Sequence, residues 1–271
     1  MTAPRMLAIA AVLVLAGCAT KGGYNQPPPA AVQAAQEQTP EQDDRAMYLS
    51  LIHRMQDEGA YFASLAHIDA YRQRFSGSAE LDLLQADALR NTDKPAEAST
   101  LYHALTKGPQ AGPAWHGLGL IAAAQGQYAE SATLLGKAVA MDPLNVDYLG
   151  DLGFARLRAG QVAEAREPLA KAAELAPANQ KAVANLALYT MLSGDGARAE
   201  AMIQKAGLSQ AARDEIYRLS MSLKRASSST TPAGGVRAAA AAPSTVDGIA
   251  APPSMLERFG DRSDAHQENP R

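Results

Sequence analysis

The chain has 271 residues, enough for a sizeable buried core, and its hydrophobic share of 47% is supplied largely by alanine while aromatics reach only 5%. That balance favours close-packed helices over a strand-rich fold, so an all-α architecture is expected. A formal net charge of -3 without a lysine- or arginine-rich stripe argues against nucleic acid as a partner, and a single cysteine excludes an intramolecular disulfide.

From the N-terminus, Met1 to Arg5 form a short positive region and Met6 to Ala16 an apolar run too short to span a bilayer, which reads as a signal peptide over residues 1–17. Its end, Leu15-Ala16-Gly17-Cys18, resembles the lipobox of bacterial lipoproteins. The resemblance implies cleavage before Cys18, diacylglycerol on its sulfur and a third acyl chain such as palmitate on the new amino group. An anchor with two or more chains holds stably. Under that family's sorting rule Ala19, where aspartate would retain the protein, implies export to the outer membrane, facing the periplasm. The alternative is an ordinary signal peptide whose cysteine is incidental. Residues 18–42, with Pro27-Pro28-Pro29 and no apolar periodicity, read as a flexible tether.

The middle of the chain repeats with a period of 34: Leu84, Leu118, Leu152 and Leu186; Leu101, Leu135, Leu169 and Ile203; Ala104, Ala138, Ala172 and Ala206; Pro109, Pro143 and Pro177; Gly126, Gly160 and Gly194. The unit resembles the tetratricopeptide repeat, most clearly in Trp115-His116-Gly117-Leu118-Gly119 followed by Gly126, Tyr128, Ala138 and Asp142-Pro143. The resemblance implies two antiparallel helices per unit, stacked so that a continuous apolar seam lies between neighbours. Units are expected at 112–145, 146–179 and 180–213, with a degenerate one at 78–111 where Gln85 and Thr92 replace the glycines. Over 44–77 only Ala63 and Ala70 keep register, but Tyr48, Leu51, Met55, Tyr61, Phe62, Leu65, Ile68 and Tyr71 give a helical pattern. Ala211 to Ala226, with Ile216, Leu219 and Leu223 on one face, is expected to cap the stack. The expectation is a tetratricopeptide-repeat superhelix over 43–226, about four to five helix pairs plus a cap. A disordered tail over 227–271 would follow, with Ser254–Phe259 a candidate docking helix.

The same resemblance implies a concave wall made by the first helix of each pair. At the family's wall positions stand Leu89, Leu120, Phe154, Leu157, Leu188 and Met191, with Arg90 and Arg158 alongside, a set suited to an amphipathic helix or extended apolar peptide. The alternative is that the chain's own tail or cap covers these residues or that they pack against the second helices. Where some family members clamp a terminal carboxylate, only Asn185 fits, which disfavours such a clamp. No catalytic constellation emerges. His53, His67, His103, His116 and His266 lack metal-ligand spacing, no nucleophile elbow or phosphate loop occurs, and Asp142 and Asp147 read as turn and cap residues. No cofactor beyond the covalent lipid is expected, and no enzymatic activity.

With lipobox, tether and repeats together, the chain resembles the TadD-like lipoproteins of the tight-adherence (Flp) pilus assembly systems. The telling stretches are Asp151-Leu152-Gly153-Phe154-Ala155, Pro168-Leu169-Ala170-Lys171-Ala172-Ala173-Glu174-Leu175 and Asn185-Leu186-Ala187-Leu188. That resemblance implies a protein-binding scaffold that helps an outer-membrane secretin localise or assemble in pilus biogenesis and secretion. The alternative is a lipoprotein adaptor that recruits cell-wall hydrolases or other envelope machinery.

Overall fold

The computed structural model describes residues 40–229, with side chains described over 44–228. The expected signal peptide, Cys18 lipid, tether up to residue 39 and tail from residue 230, with Ser254–Phe259, lie outside the described residues. The chain divides into a unit of residues 1–44 and a unit of residues 45–271, and the architecture below is that of the second.

Eleven α-helices and no strand occur among the described residues: α1 (Pro40–Asp57), α2 (Tyr61–Arg74), α3 (Ala79–Asn91), α4 (Pro95–Leu105), α5 (Ala111–Ala124), α6 (Tyr128–Met141), α7 (Val146–Arg158), α8 (Val162–Leu175), α9 (Gln180–Leu192), α10 (Gly196–Lys205) and α11 (Gln210–Ser229). Capping side chains set several starts. Ser78, Asn145, Asn179 and Asp195 accept from the backbone amides of Leu81, Asp147 and Tyr148, Ala182, and Arg198 respectively, satisfying donors that an α-helix leaves open. Consecutive helices pack as pairs from α3 to α10, each pair lies on the next, and α11 packs on α9 as the closing helix. The fold is an all-α repeat superhelix, as the sequence resemblance implies. No described helix is long and apolar enough to cross a membrane.

Close approach within pairs depends on glycine. A Cβ on Gly119 would meet Leu135 at 2.6 Å and one on Gly153 would meet Leu169 at 2.3 Å, so only glycine lets the second helix sit that near. The first two pairs depart from the expected register. Turns with positive φ fall at Gly59 and Asp93, 34 apart, and at Gly126, Gly160 and Gly194, again 34 apart, but 33 residues separate Asp93 from Gly126. Ser64, Ile68 and Tyr71 on α2, and Ala98, Tyr102 and Leu105 on α4, are therefore the buried residues. Ala63, Ala70 and Ala104, aligned on the 34-residue columns, are exposed, and Leu101 is half-buried. The turn expected at Thr92 is made by Asp93 at φ 60°, a residue type whose short polar side chain tolerates the left-handed region. One residue of slip turns a helix by about 100°, enough to exchange a buried face for a solvated one.

Candidate functional site

The first helices α3, α5, α7 and α9 carry the residues expected to form an apolar binding wall, and the structure buries most of them. Phe154 (3% exposed), Leu157, Leu188 and Met191 belong to one core cluster with Ala184, Ala187, Leu208, Ala212, Ile216 and Leu219. Leu89 is buried with Ala86, Ala98, Tyr102 and Leu118. The open apolar groove is therefore corrected to a closed seam. Alanines at 184 and 187 draw neighbouring helices together, and α11 contributes Ala212, Ile216 and Leu219 to the same cluster, so water is excluded from these side chains. Leu120 is half-buried and reaches solvent, as do Arg158 and Arg90 beside the wall. The Arg158 guanidinium lies 4.2 Å from the Tyr128 ring centroid and 5.9 Å from that of Phe154, a cation held over aromatic faces. Arg90 turns inward, its Nε donating to the Tyr102 hydroxyl at 3.4 Å.

Beside this seam runs a polar link that joins three successive first helices. Asp151, 2% exposed on α7, accepts from His116 Nε2 of α5 at 2.8 Å and pairs with Lys181 Nζ of α9 at 2.8 Å. The Tyr148 ring packs against His116 with centroids 4.7 Å apart. Burial pushes the Asp151 carboxyl up, yet the Lys181 ammonium and the His116 hydrogen bond outweigh it and hold the group below its ordinary value. Burial also raises the Tyr148 phenol to about 12, with Asp142, Asp87 and Asp147 adding to the rise. Asn185, the one clamp-like residue, is buried and donates to the Gly150 carbonyl at 3.4 Å. The chain's own Asp151 engages Lys181 and His116, so the polar groups facing one another across the repeats are matched internally.

A second polar group lies at the junction of the slipped and regular pairs. The Tyr102 hydroxyl donates to Asp87 Oδ1 at 2.5 Å. Its ring occupies the space of a Gly117 side chain, since a Cβ there would meet Tyr102 Cζ at 2.3 Å. Burial raises the Asp87 carboxyl above its ordinary value against the pull of the Tyr102 hydrogen bond and of Arg90, and it raises the Tyr102 phenol as well. The remaining described histidines serve local contacts or stand exposed: His53 Nε2 meets Glu80 Oε1 at 3.0 Å, His67 Nδ1 meets the Tyr48 hydroxyl at 3.0 Å, and His103 is exposed. Among the described residues no group of three or more His, Cys, Asp and Glu side chains is placed to hold a metal ion.

Sequence reasoning passed over Lys181, met Asp151 only inside a family-like stretch, and noted of His116 that it lacks metal-ligand spacing. A signal existed in Asp151, an acid in the middle of an otherwise buried helix segment from Tyr148 to Ala155. Such a residue needs a cationic partner.

This architecture is that of a tetratricopeptide-repeat superhelix, a fold that suggests a protein-binding scaffold. Residues 83–145 and 116–180 match the family profile described as "Tetratricopeptide repeat". The chain is 30% identical over 145 residues to "TPR repeat-containing protein PA4299" of Pseudomonas aeruginosa, covering 54% of this chain and 55% of the relative, so the chain spans about half the length of that relative. Among solved structures, Pseudomonas aeruginosa PilF superposes with a TM-score of 0.55 at 15% identity, covering 72% of this chain and 96% of PilF. A MamA fragment from Desulfovibrio magneticus RS-1 gives 0.49 at 20% identity, covering 68% and 97%. At 15% identity the likeness to PilF bears on the fold alone.

Proposed function

We propose that the chain is a lipid-anchored, non-catalytic scaffold of the cell envelope, attached through Cys18 to the outer membrane and facing the periplasm, and that it acts as a pilotin-like assembly factor for a secretin in tight-adherence (Flp) pilus biogenesis and secretion. The observation that carries this reading is the conjunction of a sequence resembling a lipobox at Leu15–Cys18 with a helical repeat stack whose first helices are tied across three units by His116, Asp151 and Lys181. A rigid stack on a tether presents a fixed surface at the membrane without chemistry of its own. Resemblance to tight-adherence lipoproteins supports the choice of partner. Leu120 and Arg158, which retain solvent access beside the seam, are the residues proposed to touch it.

The test is co-purification of the natively lipidated full chain from membranes, comparing wild type with Leu120→Glu and Arg158→Glu after circular dichroism has verified folding. A secretin recovered with wild type and depleted with either variant supports both function and site. Cell-wall hydrolases in its place would support the adaptor reading instead, and a secretin unaffected by both variants would overturn the site.

A further inference from the structure

α11 lies on α9 as the first helix of a further unit would, and at the 34-residue spacing its residues divide into two faces. The face toward the preceding pair is filled: Ile216 and Leu219 are buried, as are their counterparts Ala182 and Asn185. The other face is the one with which a first helix meets its own second helix. In α5 and α7 that place is held by Gly119, against Leu135 of α6, and by Gly153, against Leu169 of α8. In α9 it is held by Ala187, fully buried in one cluster with Ile203 of α10, and by Thr190, whose hydroxyl lies 4.0 Å from Met202 Sδ. The residues 34 further on are Met221, 54% exposed, and Lys224, also exposed. Tyr217, 43% exposed, aligns in the same way with Leu149, which packs with Ala172 of α8. Among the described residues no second helix follows α11.

We propose that Ser254–Phe259 of the same chain docks on this face of α11, where the earlier units carry a second helix. Its Met255, Leu256 and Phe259 stand at i, i+1 and i+4, the spacing of one side of a helix. They bring large apolar side chains to the place that Leu135, Leu169 and Ile203 fill in the earlier pairs, and so remove Tyr217 and Met221 from water. The connection is long enough. Tyr217 lies about 18 Å back from Ser229 along the α11 axis, and the 24 residues from 230 to 253 can span up to about 80 Å. Joined to α11 in this way, the segment meets the face at an effective concentration on the order of millimolar, whereas a second copy or another protein meets it only at its bulk concentration. Charge agrees with this occupant. From Gln210 to Ser229 cations outnumber carboxylates by two, and Lys224 and Arg225, exposed beside Met221, have no carboxylate partner among the described residues. Residues 254–268 carry the opposite excess, Glu257, Asp261, Asp264 and Glu268 against Arg258 and Arg262.

Hydrogen–deuterium exchange of the natively lipidated full chain in detergent, read by mass on peptides that span 254–259, tests the docking. Wild type should protect these amides equally at every protein concentration, because the contact lies within one chain. Met221→Glu, at an exposed position that the stack tolerates, and Phe259→Glu should each speed their exchange roughly tenfold while the helical signal in circular dichroism stays unchanged. As a second reading, Met221→Cys with Leu256→Cys should oxidise to a cross-link within a monomer faster than Met221→Cys with Ala240→Cys, which lies nearer to α11 in sequence but outside the segment. Wild-type amides at 254–259 that exchange as fast as an unprotected chain, or protection indifferent to Met221→Glu, would overturn the proposal. So would protection that rises with protein concentration, the mark of a second copy on this face, or faster cross-linking through Ala240→Cys. Secretin capture by the Leu120 and Arg158 variants is a separate readout, so either idea can fail alone.

Discussion

Replacing two glycines three residues apart in α7 by alanine should move stability in opposite directions. Both are helix-interior positions, so each substitution gains about 0.8–1.0 kcal/mol from backbone propensity. At Gly150 the added Cβ meets only Asn185 Nδ2, at 3.8 Å, an ordinary contact, and the Gly150 carbonyl that accepts from Asn185 is untouched. At Gly153 it would lie 2.3 Å from both Cγ and Cδ2 of Leu169. Leu169 is fully buried among Phe154, Ala165 and Leu157 and has no free direction in which to retreat by more than an ångström. Overpacking of that kind costs about 1–3 kcal/mol and at times more, which exceeds the propensity gain. For a chain of this size a change of 1 kcal/mol shifts the unfolding midpoint by about 2–4 °C. Gly150→Ala should therefore melt about 2–4 °C higher than wild type and Gly153→Ala lower, by up to about 9 °C. Thermal unfolding of the full chain followed by circular dichroism at neutral pH measures both. Shifts of the same sign would show that the close approach of α7 and α8 does not control stability at this site.

Asp151→Asn should cost about 2 kcal/mol, less than a fully buried pair would lose because Lys181 and His116 retain some solvent contact, and a double-mutant cycle with Lys181→Met should give a clear coupling energy. Its folded-state value lies below the ordinary 3.8, so the Asp151 contribution is complete above that pH and disappears as pH falls through the lower folded value. Denaturation curves on the acid side should show this loss in wild type and not in Asp151→Asn. Tyr102→Phe removes the donor to a carboxyl that burial already disfavours and should lower stability in urea by about 1–3 kcal/mol. Phe154→Glu places a charge in the closed seam and should abolish the cooperative transition in circular dichroism, so it cannot serve as a probe of partner binding.

How far the sequence could be read depended on how far each feature was local. The all-α class followed from alanine-rich, aromatic-poor composition, and the pairing of helices from glycine and proline columns 34 residues apart. Those columns carried the last three pairs correctly because Gly126, Gly160 and Gly194 mark the turns in fact. In the first two pairs the turn at Asp93 is not a glycine, so the 34-residue columns ran on through a 33-residue interval and assigned Ala63, Ala70 and Ala104 to the wrong faces.

The candidate site was less legible. Wall positions taken from repeat resemblance named Phe154, Leu157, Leu188 and Met191, but whether such residues line a groove or fill a seam depends on how closely successive first helices pack and on where α11 lies. His116, Asp151 and Lys181 sit at spacings of 35 and 30, not at the repeat period, and their meeting requires three helices already in place. The sequence by itself determined what recurs along the chain, namely helices, turns and the apolar face of each unit, because those obey local periodicity. Only the tertiary structure decided which apolar residues water can still reach and which charges find each other, because both are set by distances between segments that no single segment encodes.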